Sequence, residues 1–223
     1  MSQSNQPNVA ADLSRIHSLI TRGLKVSLER SQAFAQDGFP DDSTREGFVD
    51  YVQSLVSVLH AHHLTEDDLA FPYLRDLMPG TPFDVLTEQH QQMIPILDEI
   101  KAAIEAVAAE EQASEALNDL NRALTKVAEL WQPHIQIEEE HFSIKKGAEL
   151  ISVDEHIRLA QSFAKHSQEH SGPDYLVVPF MLYNLSPEDR AIMASAMPPM
   201  VTQELVPKAW KEKWAPMQPF LLD

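Results

Sequence analysis

The sequence predicts an all-α protein: an up-down-up-down four-helix bundle followed by a C-terminal helical extension. Three observations predict it. Only six of the 223 residues are glycine, and apolar residues make up 43% of the chain. Long segments carry apolar residues in alternating steps of four and three, the seam of a helix packed in a bundle. Short Gly/Pro breaks separate those segments, as in antiparallel neighbours.

The elements follow in order. Residues 1–8 are polar and read as a loose tail. An amphipathic helix then runs from Val9 to about Phe34, with Leu13, Ile16, His17, Ile20, Leu24 and Leu28 on its inner face. Gly38-Phe39-Pro40 ends it. Ser43-Thr44-Arg45-Glu46 has a capping-box pattern, and the helix it opens extends to about Ala70. Met78-Pro79-Gly80 breaks the chain again. Thr81-Pro82-Phe83-Asp84 starts a third helix, with a proline in its first turn. Pro95 inside it removes one backbone donor and should kink it. Ser114 is the expected cap of a fourth helix that runs to about Lys145. Ser152-Val153-Asp154-Glu155 opens a fifth, which ends near Gly172-Pro173. Beyond that the composition changes: 8 of the 15 prolines and 5 of the 8 methionines lie in residues 173–223. Short helices are expected near 174–184, 187–197 and 199–214. The domain division that follows is 1–148 for the bundle and 149–223 for an extension packed on the bundle or on a protein partner.

The totals exclude several functions. There is no cysteine, so disulfides and thiolate chemistry are absent. Any metal must be held by imidazole and carboxylate, which suits iron, manganese or zinc. A formal charge of −17 argues against nucleic acid or an anionic membrane as partner. The polar N-terminus lacks a signal-peptide core, and no apolar run is long enough to span a bilayer. A cytoplasmic location is the resulting expectation.

Two core stripes carry chemistry. The second helix reads Phe48, Val52, Leu55, Leu59, His62, Glu66, Leu69 in steps of four and three. The fourth reads Leu120, Leu124, Val127, Trp131, His134, Glu138, His141 with the same steps. Each places a histidine and a glutamate four residues apart on a buried face. A buried carboxylate needs a partner, and a metal ion is one. The first helix adds His17 to its core side and the third adds His90. Four imidazoles and two carboxylates on four helices suit two ions, with the carboxylates bridging. His60 and His63 flank the stripe, His63 as a group supporting the ligands. Asp67, Asp68, Glu139 and Glu140 read as a solvated face, and His156, His166 and His170 as surface residues.

The chain resembles the hemerythrin-like family of HHE cation-binding domains. The resemblance rests on His17, the run from His62-His63-Leu64-Thr65-Glu66 to Phe71-Pro72, His90, and His134 with Glu138. It covers roughly residues 9–145 and implies a four-helix bundle around two non-heme iron ions with an oxo or hydroxo bridge, zinc or manganese being alternatives. By that resemblance His17 and His62 bind one iron, His90 and His134 the other, and Glu66 and Glu138 bridge. The sequence departs from the oxygen carriers where their third helix places a second histidine; here it has Ile94. That substitution implies an unsaturated ion beside His90 and His134. Glu138 also stands four residues after His134, where the carriers place an aspartate at five. Three functions remain open: binding or sensing of O2, NO or peroxide; an enzyme that consumes peroxide or another oxidant; and a structural protein stapled by metal.

Overall fold

A computed structural model describes residues 7–109 and 113–222. Among these residues there is no strand. Of the tail expected over residues 1–8, residues 1–6 lie outside the described ones. Asn8 caps α1, Val9–Asp37, its side chain accepting from the Ala10 N–H at 3.0 Å. Gly38, at φ 76°, ends the helix and returns its N–H to the Phe34 carbonyl. Only glycine adopts that conformation without strain.

The second helix, α2, spans Asp42–Thr65. Its cap is Asp41, which accepts from the Thr44 N–H at 2.6 Å, rather than the expected Ser43. The helix does not stop near Ala70. Residues Glu66–Ala70 form one π-helical segment, and α3, Phe71–Leu77, continues the run. Pro72 falls directly after this π segment, and having no N–H it cannot donate to the preceding turn. The third long helix, α4, spans Phe83–Ala109 and the fourth, α5, spans Ser114–His141; each stays helical through its proline, Pro95 and Pro133. Ser114 opens α5 without capping it: its hydroxyl donates instead to the Ala35 carbonyl of α1 at 3.0 Å. The four long helices form a closed ring of neighbours, α1 against α2 and α5, and α4 against the same two.

Helices α6 (Ile144–Leu150), α7 (Val153–His170), α8 (Asp174–Tyr183) and α9 (Pro187–Ala196) follow. A second π segment, Val201–Ala209, then leads into α10, Lys211–Trp214, and a 3-10 turn, Ala215–Phe220. This extension packs on the bundle. Leu176, Phe180, Trp214, Met217 and Phe220 are buried in one cluster with Phe48, Tyr51 and Leu55 of α2. Each such side chain contributes about 1.5–3 kcal/mol on leaving water, whereas an exposed ion pair contributes about 0–1 kcal/mol. Burial therefore holds the extension, and ion pairs such as Arg15–Asp189 only trim its placement. At Gly47 the backbones touch: a Cβ there would lie 1.8 Å from the Pro216 carbonyl oxygen. A polar node locks the same face. Arg22 donates to the Tyr51 hydroxyl, to Asn184 Oδ1 and to the Phe220 carbonyl, and Tyr51 donates to Asn184 Oδ1 at 2.7 Å.

The apolar interior has two parts. The larger cluster contains Leu19, Leu59, Met93 and Trp131; the smaller contains Ala10, Ala70, Leu86 and Phe142, with Ile151 and Leu159 from the extension. Helices α1 and α4 thus contribute to both clusters, and α2 and α5 lead from the larger into residues that join the smaller. His156, expected at the surface, is buried and ties the smaller cluster together: Nδ1 accepts from the Val9 N–H at 3.2 Å, and Nε2 donates to the Gly147 carbonyl at 3.1 Å. No described helix is long and apolar enough to cross a membrane.

Candidate metal centre

Between the two apolar clusters lies a layer of polar side chains. It is where each long helix carries its histidines: His17 on α1, His62 and His63 on α2, His90 on α4, His134 on α5. Glu66 and Glu138 complete it. All seven residues are at least 92% buried. The six candidates, His62, Glu66, His134 and Glu138 from the two stripes and His17 and His90 from the other two helices, are brought together.

Donor atoms point inward. His17 Nε2 lies 3.1 Å from Glu138 Oε2, and His62 Nε2 3.3 Å from Glu66 Oε2. His90 Nε2 is 3.5 Å from Glu66 Oε2, and His134 Nε2 3.5 Å from Glu138 Oε1. Potential ligand atoms therefore gather into overlapping groups: His17, His62, Glu66 and Glu138; Glu66, His90, His134 and Glu138; and His63, His90 and His134. The two glutamates are shared by the first two groups, which places them between two sets of imidazoles.

The outward ring nitrogens are held by acceptors. His17 Nδ1 donates to Glu139 Oε1 at 2.9 Å, and His134 Nδ1 to Gln89 Oε1 at 2.9 Å. His90 Nδ1 lies 3.0 Å from Asp67 Oδ2, and Asp67 is in turn held by the Thr87 hydroxyl at 2.8 Å. Such partners fix the tautomer and orientation of a ligating imidazole. Glu139 and Asp67, expected on a solvated face, thus reach back to the layer; their exposed carbons conceal this in the sequence.

Electrostatics follow from burial. Burial, then the neighbouring Glu138, push the Glu66 carboxyl well above its usual range. Burial pulls His62 and His63 well below the usual imidazole range and His134 down to about 4. For His17 burial also lowers, but the adjacent carboxylates of Glu138 and Glu139 outweigh it and the imidazole is raised. For Glu138 burial raises, yet His17 and His134 together bring it below its usual range. Most of the rings are thus neutral near pH 7, the form that binds metal.

A cation fits what is left unpaired. His62 Nε2, both ring nitrogens of His63, Glu66 Oε2 and both oxygens of Glu138 are buried without a hydrogen bond. His90 Nε2 and His134 Nε2 face each other at 3.1 Å. At that distance the two nitrogens share either one proton, as an N–H···N hydrogen bond, or a metal ion bound by both. Each unsatisfied buried polar atom costs about 1–3 kcal/mol, so an empty layer would weigh heavily against the fold.

His63 is the residue that the stripe missed. Consecutive helical residues point about 100° apart, so a single seam admits only one of His62 and His63. The layer is wider than one seam. His62 meets His17 edge-on with ring centroids 5.3 Å apart, while His63 stacks on His90 at 4.1 Å. A signal was available: Val49, Val52, Val56, Leu59 and His63 form a second seam, and all five are buried. Ile94, by contrast, is 44% exposed and takes no part in the layer. His63, not Ile94, is the residue that stands beside His90 and His134. His141, on the seam past Glu138, contacts Thr81 at 3.4 Å. Trp131 closes the layer towards the larger cluster, its ring 5.5 Å from His17 and 5.8 Å from His62, with its indole N–H donated to Thr21.

Comparison with known proteins agrees with this geometry. A family model described as the hemerythrin HHE cation binding domain matches residues 9–143. Neither the curated proteins nor the solved structures give a match.

Proposed function

The chain belongs to the hemerythrin HHE cation-binding family, and on that premise we propose that it is a non-heme di-iron protein that binds or senses O2, NO or peroxide. His17 and His62 would hold one ion, and His63, His90 and His134 the other. Glu66 and Glu138 would bridge them. The observation that carries this reading is the pair of carboxylates shared between two sets of buried imidazoles, with their inward atoms left without hydrogen bonds.

Bound iron supplies Lewis acidity and electrons to a small ligand. The chain's own residues supply the rest. Three imidazoles on one side against two on the other leave the emptier place beside His17 and His62. Trp131 walls that place, and its apolar ring excludes water. Glu139 holds the His17 ring in the tautomer that turns Nε2 inward. Residues 1–148 bear the metal in this proposal, and residues 149–223 pack on the bundle that carries it.

The test is anaerobic loading with ferrous iron, then rapid mixing with O2, NO and hydrogen peroxide under absorption detection. A spectral change with at least one ligand, lost in His62→Ala, is expected. No change with any of the three would overturn the reading. Sustained peroxide loss with turnover would move the protein to the class of enzymes.

A further inference from the structure

Outside the buried layer, a groove of about 370 Å³ opens between α2, α4 and the end of α7. Its floor is apolar, with Val56 and Ile104 buried. Its walls carry the imidazoles of His60 and His170 and the carboxylate of Glu105. These side chains come from α2, α7 and α4, three separate parts of the chain.

Two other polar groups around the groove are engaged. Lys101 is paired with Asp98 at 3.0 Å. The Ser57 hydroxyl donates to the Gly172 carbonyl and accepts from the Gly172 N–H. His60, Glu105 and His170, in contrast, make no hydrogen bond or ion pair among the described residues. His170 is nevertheless oriented. Its ring packs against His166 with centroids 4.4 Å apart, and His166 is held from both sides by Thr65 and Asp68, each at 3.1 Å.

We propose that this groove is a second, surface site for a borderline divalent transition ion such as zinc, held by His60, Glu105 and His170. Two imidazoles with one carboxylate form a donor set for zinc or ferrous iron, whereas magnesium and calcium prefer oxygen alone. The formal charge of −17 concentrates cations near the surface. The donors are not assembled in advance, as those of the buried layer are. Glu105 and His170 are exposed, so their side chains must turn to meet an ion. Water fills the remaining places, and the bound ion exchanges with solvent.

The experiment uses the full chain carrying its resident metal. Zinc is added by equilibrium dialysis, and zinc and resident metal are counted separately. A single additional zinc per chain is expected, with the resident metal retained. Each of His170→Ala and Glu105→Gln should weaken that zinc by about tenfold or more, since even partners behind a ligand are worth that much. Circular dichroism and resident metal should not change. Equal zinc uptake by a His60→Ala/His170→Ala double variant would overturn the proposal, as would zinc that enters only by displacing resident metal. Because the two metals are counted apart, a chain that holds no resident metal still reports on the groove.

Discussion

The imidazole of His63 lies flat on that of His90, the planes inclined by 18°. His63 is adjacent in sequence to His62, yet the two rings serve opposite sides of the polar layer. One helix thereby contributes to both sets of donors. This doubling makes α2 the element on which metal content depends most.

Metal content should show it. The chain should take up two ions when loaded with ferrous iron. His62→Ala and His63→Ala should each remove about one of them, from different sets. Ile94→His should leave the content unchanged, because that position faces solvent. Elemental analysis of the loaded variants is the check. Full loading of His63→Ala would return the ligand role to His62 alone.

The supporting carboxylates offer a finer test. Glu139→Gln and Asp67→Asn keep side-chain size but weaken the holds on His17 and His90. Each should lower iron affinity by about 10–100-fold while the helical content stays the same. Competition with a chromogenic chelator measures it. Unchanged affinity in both would mean that those contacts merely decorate the rings.

Gly47 tests how the extension is fastened. Alanine there cannot coexist with Pro216 as placed, since its Cβ would overlap the carbonyl oxygen. The turn Ala215–Phe220 must move away and uncover Met217 and Phe220. Exposing two such side chains costs about 3–6 kcal/mol. Gly47→Ala should therefore melt several degrees lower and become open to proteolysis near its C-terminus. A variant as stable and as resistant as the parent would contradict the packing.

Asp50 gives a pH dependence. Burial, with help from Glu46, raises its carboxyl to about 6 from an ordinary 3.8. The folded chain then binds more protons than the unfolded one between those values, so this group makes stability fall as pH rises through them. The charged form opposes the fold at neutral pH. Because the side chain is still partly in water, solvent screening limits the effect to about 1 kcal/mol. Asp50→Asn should stabilise by that amount near neutral pH and by almost nothing below about pH 4. Denaturant titrations at the two pH values decide it.

Much of this was legible in the chain. Helix boundaries followed from caps such as Ser152 and from the break at Gly38, and the two stripes, with His17 and His90 of the other helices, pointed to six of the seven residues in the layer. What stayed hidden has a common cause. His63 lies on a second seam beside the one that carries His62, Glu139 and Asp67 look solvated, and His156 looks superficial. Each is defined by contact with another helix, and a one-helix periodicity carries no information about that. The π segment after Thr65 was equally invisible: nothing in Glu66–Ala70 breaks a helical pattern.

The polar layer divides the interior as well as furnishing it. Without a cation, the chain is a pair of apolar cores joined through seven side chains that gain little from one another. A bound ion would couple the two across that seam. Cooperativity, rather than midpoint alone, should then be the property that metal confers. The loaded protein should unfold in one transition, with calorimetric and van't Hoff enthalpies equal. After chelation the smaller core, around Phe71 and Phe83, should open first, and its amides should exchange with deuterium well before those around Leu55 and Leu124.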